Sequence, residues 1–229
     1  MSAGPSKDAC GASGGRAAWR SPRAWVVLAL VSLLGLAADL ASKQAAFDRV
    51  AGVPVRVDRA EVVRLTEQGL VLDGLLPVHD PVVVVPRVLQ LQLVLNKGAV
   101  FGLGAGKRWL FVGFTALAVA MCVWTFARWT HAGDAMAHAC LGLVLAGGLG
   151  NVYDRVVFAC VRDFLHPLPE LLLPWGLRGP GGSGELWPYV SNVADLFLIV
   201  GMGGLVWRMW RTPARAPERA PEGSTGGNG

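Results

Sequence analysis

Four long apolar segments run through the chain, and each is long enough to cross a membrane as a helix. A spanning helix needs roughly 20 predominantly apolar residues. The first segment is free of charge only from Ala24 to Ala38, so it reaches that length only if the turns that hold Asp39 and Lys43 are included. The pattern predicts spans at about residues 25–46, 109–129, 135–152 and 189–210.

The polar segment between the first two spans, residues 47–107, contains short runs with the pattern of β-strands. Val53–Val57 and Leu89–Leu93 alternate apolar residues with others, and Val82–Val85 is a continuous apolar run. Alternation with period two is typical of half-buried strands. We therefore expect a small β-structure in this segment.

Basic residues at the two ends of the chain predict its orientation. Residues 1–23 are rich in Gly, Ala and Ser and residues 211–229 in Pro, Gly and Arg, so both are predicted to be disordered cytoplasmic tails. Residues 1–23 carry four Lys or Arg residues, and the C-terminal stretch from Arg208 onward also carries four, as is typical of cytoplasmic flanks. The loops 47–107 and 153–188 then lie on the outer face. The predicted fold is an all-α membrane protein, with residues 24–210 as one four-span domain and the small β-structure on its outer (periplasmic) face.

The composition favours a membrane protein and argues against nucleic-acid binding. Hydrophobic residues make up 53% of the chain and charged residues 16%, whereas soluble domains are about a quarter charged. The formal net charge is +5, but the basic residues flank the spans and form no stripe interleaved with aromatic residues. A cleaved signal peptide is excluded because Asp39 and Lys43 stand where a small-residue cleavage site belongs.

The cysteines and histidines form no recognisable metal site. Cys10, Cys122, Cys140 and Cys160 lack metal-ligand spacing, and the histidines lack the HExxH pattern. Cys10 follows a short polar stretch, so it is not expected to carry a lipid. Cys160 lies in the second outer loop, where it could be exposed on the oxidising side. We expect no metal and no structural disulfide.

Two aspartates near the outer ends of spans are the main candidates for chemistry, because carboxylates are costly to place there. Asp195 precedes Arg208 by thirteen residues, roughly 20 Å of helix. Asp163 follows the third span by about ten residues and can fold back to the same level. Two close carboxyl groups resist double ionisation, so one can act as an acid while the other activates water. Alternatively, Asp195 is a helix-start carboxylate favoured by the helix dipole, with Asn192 as N-cap.

Other charged positions have structural interpretations as well. Asp39 and Lys43 are four residues apart on one helix face and can form a simple ion pair. Asp154 can pair with the adjacent Arg155. A small ion-coupled transporter that uses Asp39, Asp154 and Asp195 would need polar residues through the middle of the bilayer, and the centres of the second and third spans have none.

Five short motifs occur in order along residues 25–210. They are Asp39-Leu-Ala-Ser-Lys43, Asn96-Lys-Gly-Ala-Val-Phe101, Gly150-Asn-Val-Tyr-Asp-Arg155, Val161-Arg-Asp-Phe164 and Asn192-Val-Ala-Asp195. Together they resemble the signature blocks of bacterial lipoprotein signal peptidase (signal peptidase II). The resemblance implies an inner-membrane aspartic endopeptidase that removes the signal peptide of diacylglyceryl-modified prolipoproteins, just before the lipidated Cys. It implies no metal or organic cofactor.

The resemblance also implies roles for single residues. Asp163 and Asp195 match the catalytic dyad: one activates water and the other protonates the departing amine. The implied partners are diacylglyceryl-prolipoproteins and membrane lipids, and we expect a monomer in the bacterial inner membrane. Substrate-binding or supporting roles are implied for Asn96, Gly98, Asn151, Arg155, Asn192, Asp39, Lys43 and Asp154.

Some features depart from the family pattern. The outer loops are longer than expected, within residues 50–90 and 168–188, and Val100 replaces a usual Ala. Arg162 stands where the family usually has an apolar residue, and we expect it either to lower the pKa of Asp163 or to point to solvent. A non-catalytic family member that binds lipoprotein or lipid is the alternative function.

Overall fold

The computed structural model describes residues 16–98, 108–179 and 183–211. The predicted tails beyond these bounds, Cys10, and the part of the Asn96–Phe101 motif after Gly98 lie outside the described residues. The described helices are α1 (Pro22–Arg49), α2 (Arg59–Glu67), α3 (Arg108–Trp129), α4 (Ala135–Val157) and α5 (Val193–Arg211), and the strands are β1 (Val82–Val85), β2 (Leu89–Asn96) and β3 (Val161–Pro167).

Four of these helices, α1, α3, α4 and α5, are long and apolar enough to cross a membrane. The predicted membrane fold with a small sheet is thereby confirmed. The last helix begins at Val193 rather than near residue 189, because Ser191 pairs with Leu165 of β3 in an extended conformation. The third span continues beyond residue 152 to Val157, so the Gly150–Arg155 motif is helical.

Small residues let α4 pack closely between α1 and α5. A Cβ atom built on Gly147 would lie 2.4 Å from the backbone oxygen of Ala194, and one on Gly35 would lie 2.8 Å from the Cβ of Ala146. Such approaches are typical of membrane helix pairs with small residues at the contact. Close packing brings polar side chains of three helices within hydrogen-bonding distance at one end of the bundle.

The three strands form one antiparallel sheet in the order β1-β2-β3. The first two were predicted, but β3 was not. In the β2–β3 pair, Asn96 lies opposite Val161 and Val94 opposite Asp163. Asn96 and Asp163 are therefore diagonal neighbours on one face of the sheet, where side chains interact.

Val53–Val57 is not a strand, contrary to the prediction. It leads into α2, whose N-terminus is capped by Asp58: the side-chain oxygen accepts the Ala60 N–H at 2.7 Å. The alternating apolar residues serve a different purpose, because Val55 and the α2 residue Val62 are buried in a cluster with Phe47. Burial against the end of α1 replaces the pairing that a strand would need.

Two further expectations need correction. Residues 16–23, predicted as part of a disordered tail, include a 3-10 helix at Ala18–Arg20, and the Ala18 N–H donates to the Thr130 carbonyl at 3.1 Å. The thiol of Cys160 is not exposed on the oxidising side, because the residue is fully buried in the apolar cluster below the sheet. That burial raises the pKa of the Cys160 thiol to about 12.

Candidate active site

The predicted site residues come together where α1, α4 and α5 meet the sheet. Asp163 lies on β3 and is 2% exposed, whereas Asp195 lies in the first turn of α5 and is half-buried. Strand β3 holds the start of α5, since the N–H of Ser191 donates to the carbonyl of Leu165 at 2.8 Å. This pairing brings the two carboxyl groups to the same place. The connected residues are Asp39, Lys43, Asn96, Gly98, Asn151, Asp154, Arg155, Asp163, Asn192 and Asp195.

Asn192 joins the two carboxyl groups directly. Its side-chain oxygen accepts the Asp195 N–H at 3.2 Å, and its own N–H donates to Asp195 Oδ2 at 3.2 Å. This reciprocal pattern is a helix N-terminal capping box. Its Nδ2 donates to Asp163 Oδ1 at 2.6 Å. Asn192 is therefore the predicted cap of α5, and the same side chain also orients Asp163.

Asn96 holds the other oxygen of Asp163. The N–H of Gly98 donates to Asn96 Oδ1 at 3.0 Å, so the amide nitrogen of Asn96 faces Asp163 Oδ2, also at 3.0 Å. Both oxygens of Asp163 thus accept a hydrogen bond from an asparagine. The backbone N–H of Gly98, a donor that any residue except proline has, thus fixes which end of the Asn96 amide faces the carboxyl group.

The Asp39–Lys43 pair on α1 is connected to Asp195 through Asn151. Both side chains are fully buried, with Lys43 Nζ 2.8 Å from Asp39 Oδ2, so the pair is not a simple interfacial one. Lys43 also donates to Asn151 Oδ1 at 3.1 Å, and Asn151 Nδ2 donates to Asp195 Oδ1 at 2.8 Å. Because an ammonium can only donate, it fixes the Asn151 oxygen toward itself and the nitrogen toward Asp195.

Asp154 and Arg155 do not pair with each other. The guanidinium of Arg155 instead donates to the carbonyl of Asn151 at 3.2 Å and to that of Gly98 at 3.5 Å, and lies 5.0 Å from the ring centre of Phe111. Arg155 therefore connects the third span to the Asn96–Gly98 turn.

Arg162 is the residue whose role the sequence did not reveal. It neither points to solvent nor contacts Asp163: it is 4% exposed, and its Nη2 lies 2.9 Å from Asp154 Oδ1. Adjacent residues of a strand point to opposite faces, so recognising β3 would have separated Arg162 from Asp163. Without that strand the sequence offered no signal for the contact.

The electrostatics of the site favour one proton on Asp163. Burial raises the pKa of Asp163 to about 7, and the negative charge of Asp195 adds to the effect. Hydrogen bonds from Asn192 and Asn96 and the positive charge of Lys43 act in the opposite direction. A buried carboxyl group beside another carboxylate keeps its proton more readily than an isolated one.

The formal charges lead to the same conclusion. The network joins four carboxyl groups and three cationic side chains, so it is neutral when one carboxyl group is protonated. Among the described residues, no group of three or more His, Cys, Asp or Glu side chains is placed to hold a metal ion. The network's carboxyl groups are those of Asp39, Asp154, Asp163 and Asp195, and its cations are Lys43, Arg155 and Arg162.

Comparison with known proteins decides the family. The model of the family described as Signal peptidase (SPase) II matches residues 31–211. This chain belongs to the signal peptidase II family. Its members are proteases, and the resemblance in the five motifs is thereby confirmed.

Individual relatives agree with this assignment. The chain is 36% identical over 163 residues to the lipoprotein signal peptidase of Methylobacterium sp. (strain 4-46), which covers 69% of this chain and 88% of that protein. It is 33% identical over 149 residues to the lipoprotein signal peptidase of Azoarcus sp. (strain BH72), which covers 63% and 75% respectively.

Two solved structures described as bacterial membrane enzymes share the fold. One, determined at 2.3 Å, has a TM-score of 0.56 and 19% identity, and the match covers 81% of this chain and 88% of the other. The second, determined at 1.9 Å, has a TM-score of 0.57 and 18% identity, with 81% and 94% covered. At this identity the likeness concerns the fold alone.

Proposed function

We propose that this signal peptidase II family member is a membrane aspartic endopeptidase that removes signal peptides from diacylglyceryl-modified prolipoproteins, cutting just before the lipidated Cys. The observation that carries the proposal is the bridge through Asn192, which hydrogen-bonds to both Asp163 and Asp195. Two carboxyl groups in one hydrogen-bonded network, one buried and one half-buried, suit the acid and base of peptide-bond hydrolysis.

Asp195 is the base in this mechanism. Its carboxylate accepts hydrogen bonds from Asn151 Nδ2 and from the Asn192 N–H, and both hold it in a defined orientation. Its partial exposure leaves room for a water molecule. The carboxylate takes a proton from that water as the oxygen attacks the scissile carbonyl carbon, which forms a tetrahedral intermediate.

Asp163 is the acid. Its raised pKa, about 7, keeps a proton available near neutral pH. When the tetrahedral intermediate collapses and the C–N bond breaks, Asp163 gives this proton to the departing nitrogen, which becomes the amine of the lipid-modified Cys. The signal peptide leaves with a new carboxyl group. Asp195 then releases the proton that it took from water and Asp163 regains one, by exchange with solvent, which restores the dyad.

The position of the site fits a substrate whose acyl chains stay in the membrane. Asp195 and Arg208 lie near opposite ends of α5, and Arg208 Nε is 2.9 Å from Asp134 Oδ1 at the far end of the bundle. The site thus lies at one end of the spans. We assign that end to the outer face of the bacterial inner membrane, with both termini cytoplasmic, acyl chains held among the spans, and the protein acting as a monomer.

The function is tested with the purified full-length chain in detergent. A diacylglyceryl-modified prolipoprotein should be cut immediately before its lipidated Cys, as read by mass spectrometry, while the same protein without the lipid should be cut far more slowly. Absence of cleavage with several lipidated substrates would contradict the proposal.

The second candidate, a family member that binds lipoprotein or lipid without cutting it, predicts a different result. Titration with the same lipidated substrate would then show saturable binding while the substrate mass stays unchanged. The buried, doubly hydrogen-bonded Asp163 favours the catalytic proposal, because a binding protein has no need of a carboxyl group placed at such a desolvation cost.

A further inference from the structure

Arg162 is held on Asp154 by three separate donors. Its Nη2 lies 2.9 Å and its Nε 3.3 Å from Asp154 Oδ1, and its backbone N–H donates to Asp154 Oδ2 at 3.0 Å. Its Nη1 donates to Gln44 at 3.3 Å, and the guanidinium carbon lies 4.2 Å from the ring centre of Phe158. An arginine fixed in this way can serve as a permanent countercharge.

The countercharge matters because Lys43 is shared. Its ammonium lies 2.8 Å from Asp39 and 3.5 Å from Asp154, and all three side chains are fully buried. With Arg162 present, the negative charges of Asp39 and Asp154 are balanced by two cations, Lys43 and Arg162. Without it, one ammonium would face two buried carboxylates, and the uncompensated charge on Asp154 would attract it more strongly.

Movement of Lys43 would change the position of Asp195, because Asn151 contacts both residues. The same ammonium donates to Asn151 Oδ1 at 3.1 Å, and this contact helps to fix the amide that donates to Asp195 at 2.8 Å. A shift of Lys43 toward Asp154 would lengthen the first contact and leave the Asn151 oxygen with one remaining donor, Asn192 Nδ2 at 3.2 Å. The amide would then be held less firmly in its position against Asp195. Loss of about 1 Å of precision in a catalytic group can cost on the order of 100-fold in rate.

We propose that Arg162 is a positioning residue that neutralises Asp154 and thereby keeps Lys43 on Asn151 and Asn151 on Asp195. It touches neither carboxyl group of the dyad. This inference rests on the proposed function. The Arg162–Asp154 pair is contacted by one further charged group, Lys43, which also pairs with Asp39, and by the neutral amide of Gln44.

The test compares Arg162→Met with the double variant Arg162→Met/Asp154→Asn. Met keeps much of the volume but removes the charge, so we expect kcat to fall about 10- to 100-fold with KM within about twofold of the original. The double variant removes the uncompensated carboxylate and should recover most of that loss. Arg162→Lys keeps the charge and should lie within about fivefold of the original kcat.

Controls separate positioning from folding. Arg56→Met changes an arginine that is 76% exposed and should keep the original kcat, and thermal unfolding in detergent identifies any variant that does not fold. Unchanged kcat in Arg162→Met would overturn the inference. So would a double variant that is no better than the single one, since only the neutralisation of Asp154 predicts recovery. Failure of the unsubstituted protein to cleave would instead contradict the proposed function.

Discussion

The ammonium of Lys43 lies 3.1 Å from the side-chain oxygen of Asn151, which also accepts a hydrogen bond from Asn192 Nδ2 at 3.2 Å. These two donors decide which end of the Asn151 amide faces Asp195. A buried cation on the first span therefore orients a carboxylate on the last span without touching it. Precise orientation by supporting residues is what a catalytic pair requires.

The Asn151 amide can be tested with Asn151→Asp. The carboxylate keeps an oxygen for Lys43 but replaces the donor to Asp195 with a like charge. A hydrogen bond to a charged group contributes about 1.5–3 kcal/mol, so kcat should fall roughly 10- to 100-fold. Steady-state cleavage of the lipidated substrate measures the effect. Gln68→Glu, the same chemical change at an exposed position, should leave kcat unaltered, and equal activity in both variants would refute the role of Asn151.

The rate of cleavage should depend on the proton of Asp163. Because its pKa is raised to about 7, the acid form is lost as the pH rises through that value. The rate should then fall about tenfold for each further pH unit, reaching about 100-fold at about pH 9. A kcat/KM profile in detergent provides the measurement. A profile that stays flat to about pH 9 is incompatible with Asp163 as the acid.

The same pKa predicts how Asp163→Asn affects stability. Between about pH 4 and about pH 7, the folded protein keeps the Asp163 proton, whereas the unfolded chain has already released it. The folding stability that this proton contributes is complete below the window and is lost as the pH rises through the folded pKa. Asparagine does not titrate.

The melting temperature of Asp163→Asn relative to the original protein should therefore rise between about pH 4 and about pH 7 and then level off. Thermal unfolding in detergent at several pH values measures this difference. Asp80→Asn, at an exposed aspartate, is the control and should show no such trend. A difference between the proteins that is constant with pH would argue against a buried, protonated Asp163.

Gly150 makes room for the Asp39 carboxylate. A Cβ at this position would lie 2.2 Å from Asp39 Oδ2, so Gly150→Ala must displace the partner of Lys43. We expect lower stability and at least about a 10-fold loss of activity. Gly203→Ala, in the interior of α5 with nothing within 4 Å of the added atom, should be neutral or slightly stabilising. Similar behaviour of the two variants would mean that the close approach is unimportant.

The sequence predicts the spans well because their signal is local. Long apolar runs identify the helices, and the four-residue spacing of Asp39 and Lys43 places both on one helix face. The sequence also predicts that Asp163 and Asp195 lie at the same level, from the length of the spans and the thirteen residues between Asp195 and Arg208. Each of these inferences needs only neighbouring residues and the rise of a helix.

Contacts that depend on distant pairing could not be predicted in this way. Strand β3 lacks a clean alternation, because Arg162 and Asp163 lie side by side in it, and its existence depends on β2 and on Ser191. Without the strand, the direction of Arg162 was unknown. The Val53–Val57 run alternates like a strand but has no partner, so a local cap at Asp58 and burial of Val55 decide its structure instead.

The dyad itself is tested most directly by the single-turnover rate of Asp163→Asn and of Asp195→Asn on a lipidated prolipoprotein, with binding of the substrate measured alongside. Each substitution removes one proton-transfer group and keeps the side-chain shape. The account predicts that each lowers the rate by about 1,000-fold or more while substrate binding is retained. Turnover at the original rate in either variant would contradict it.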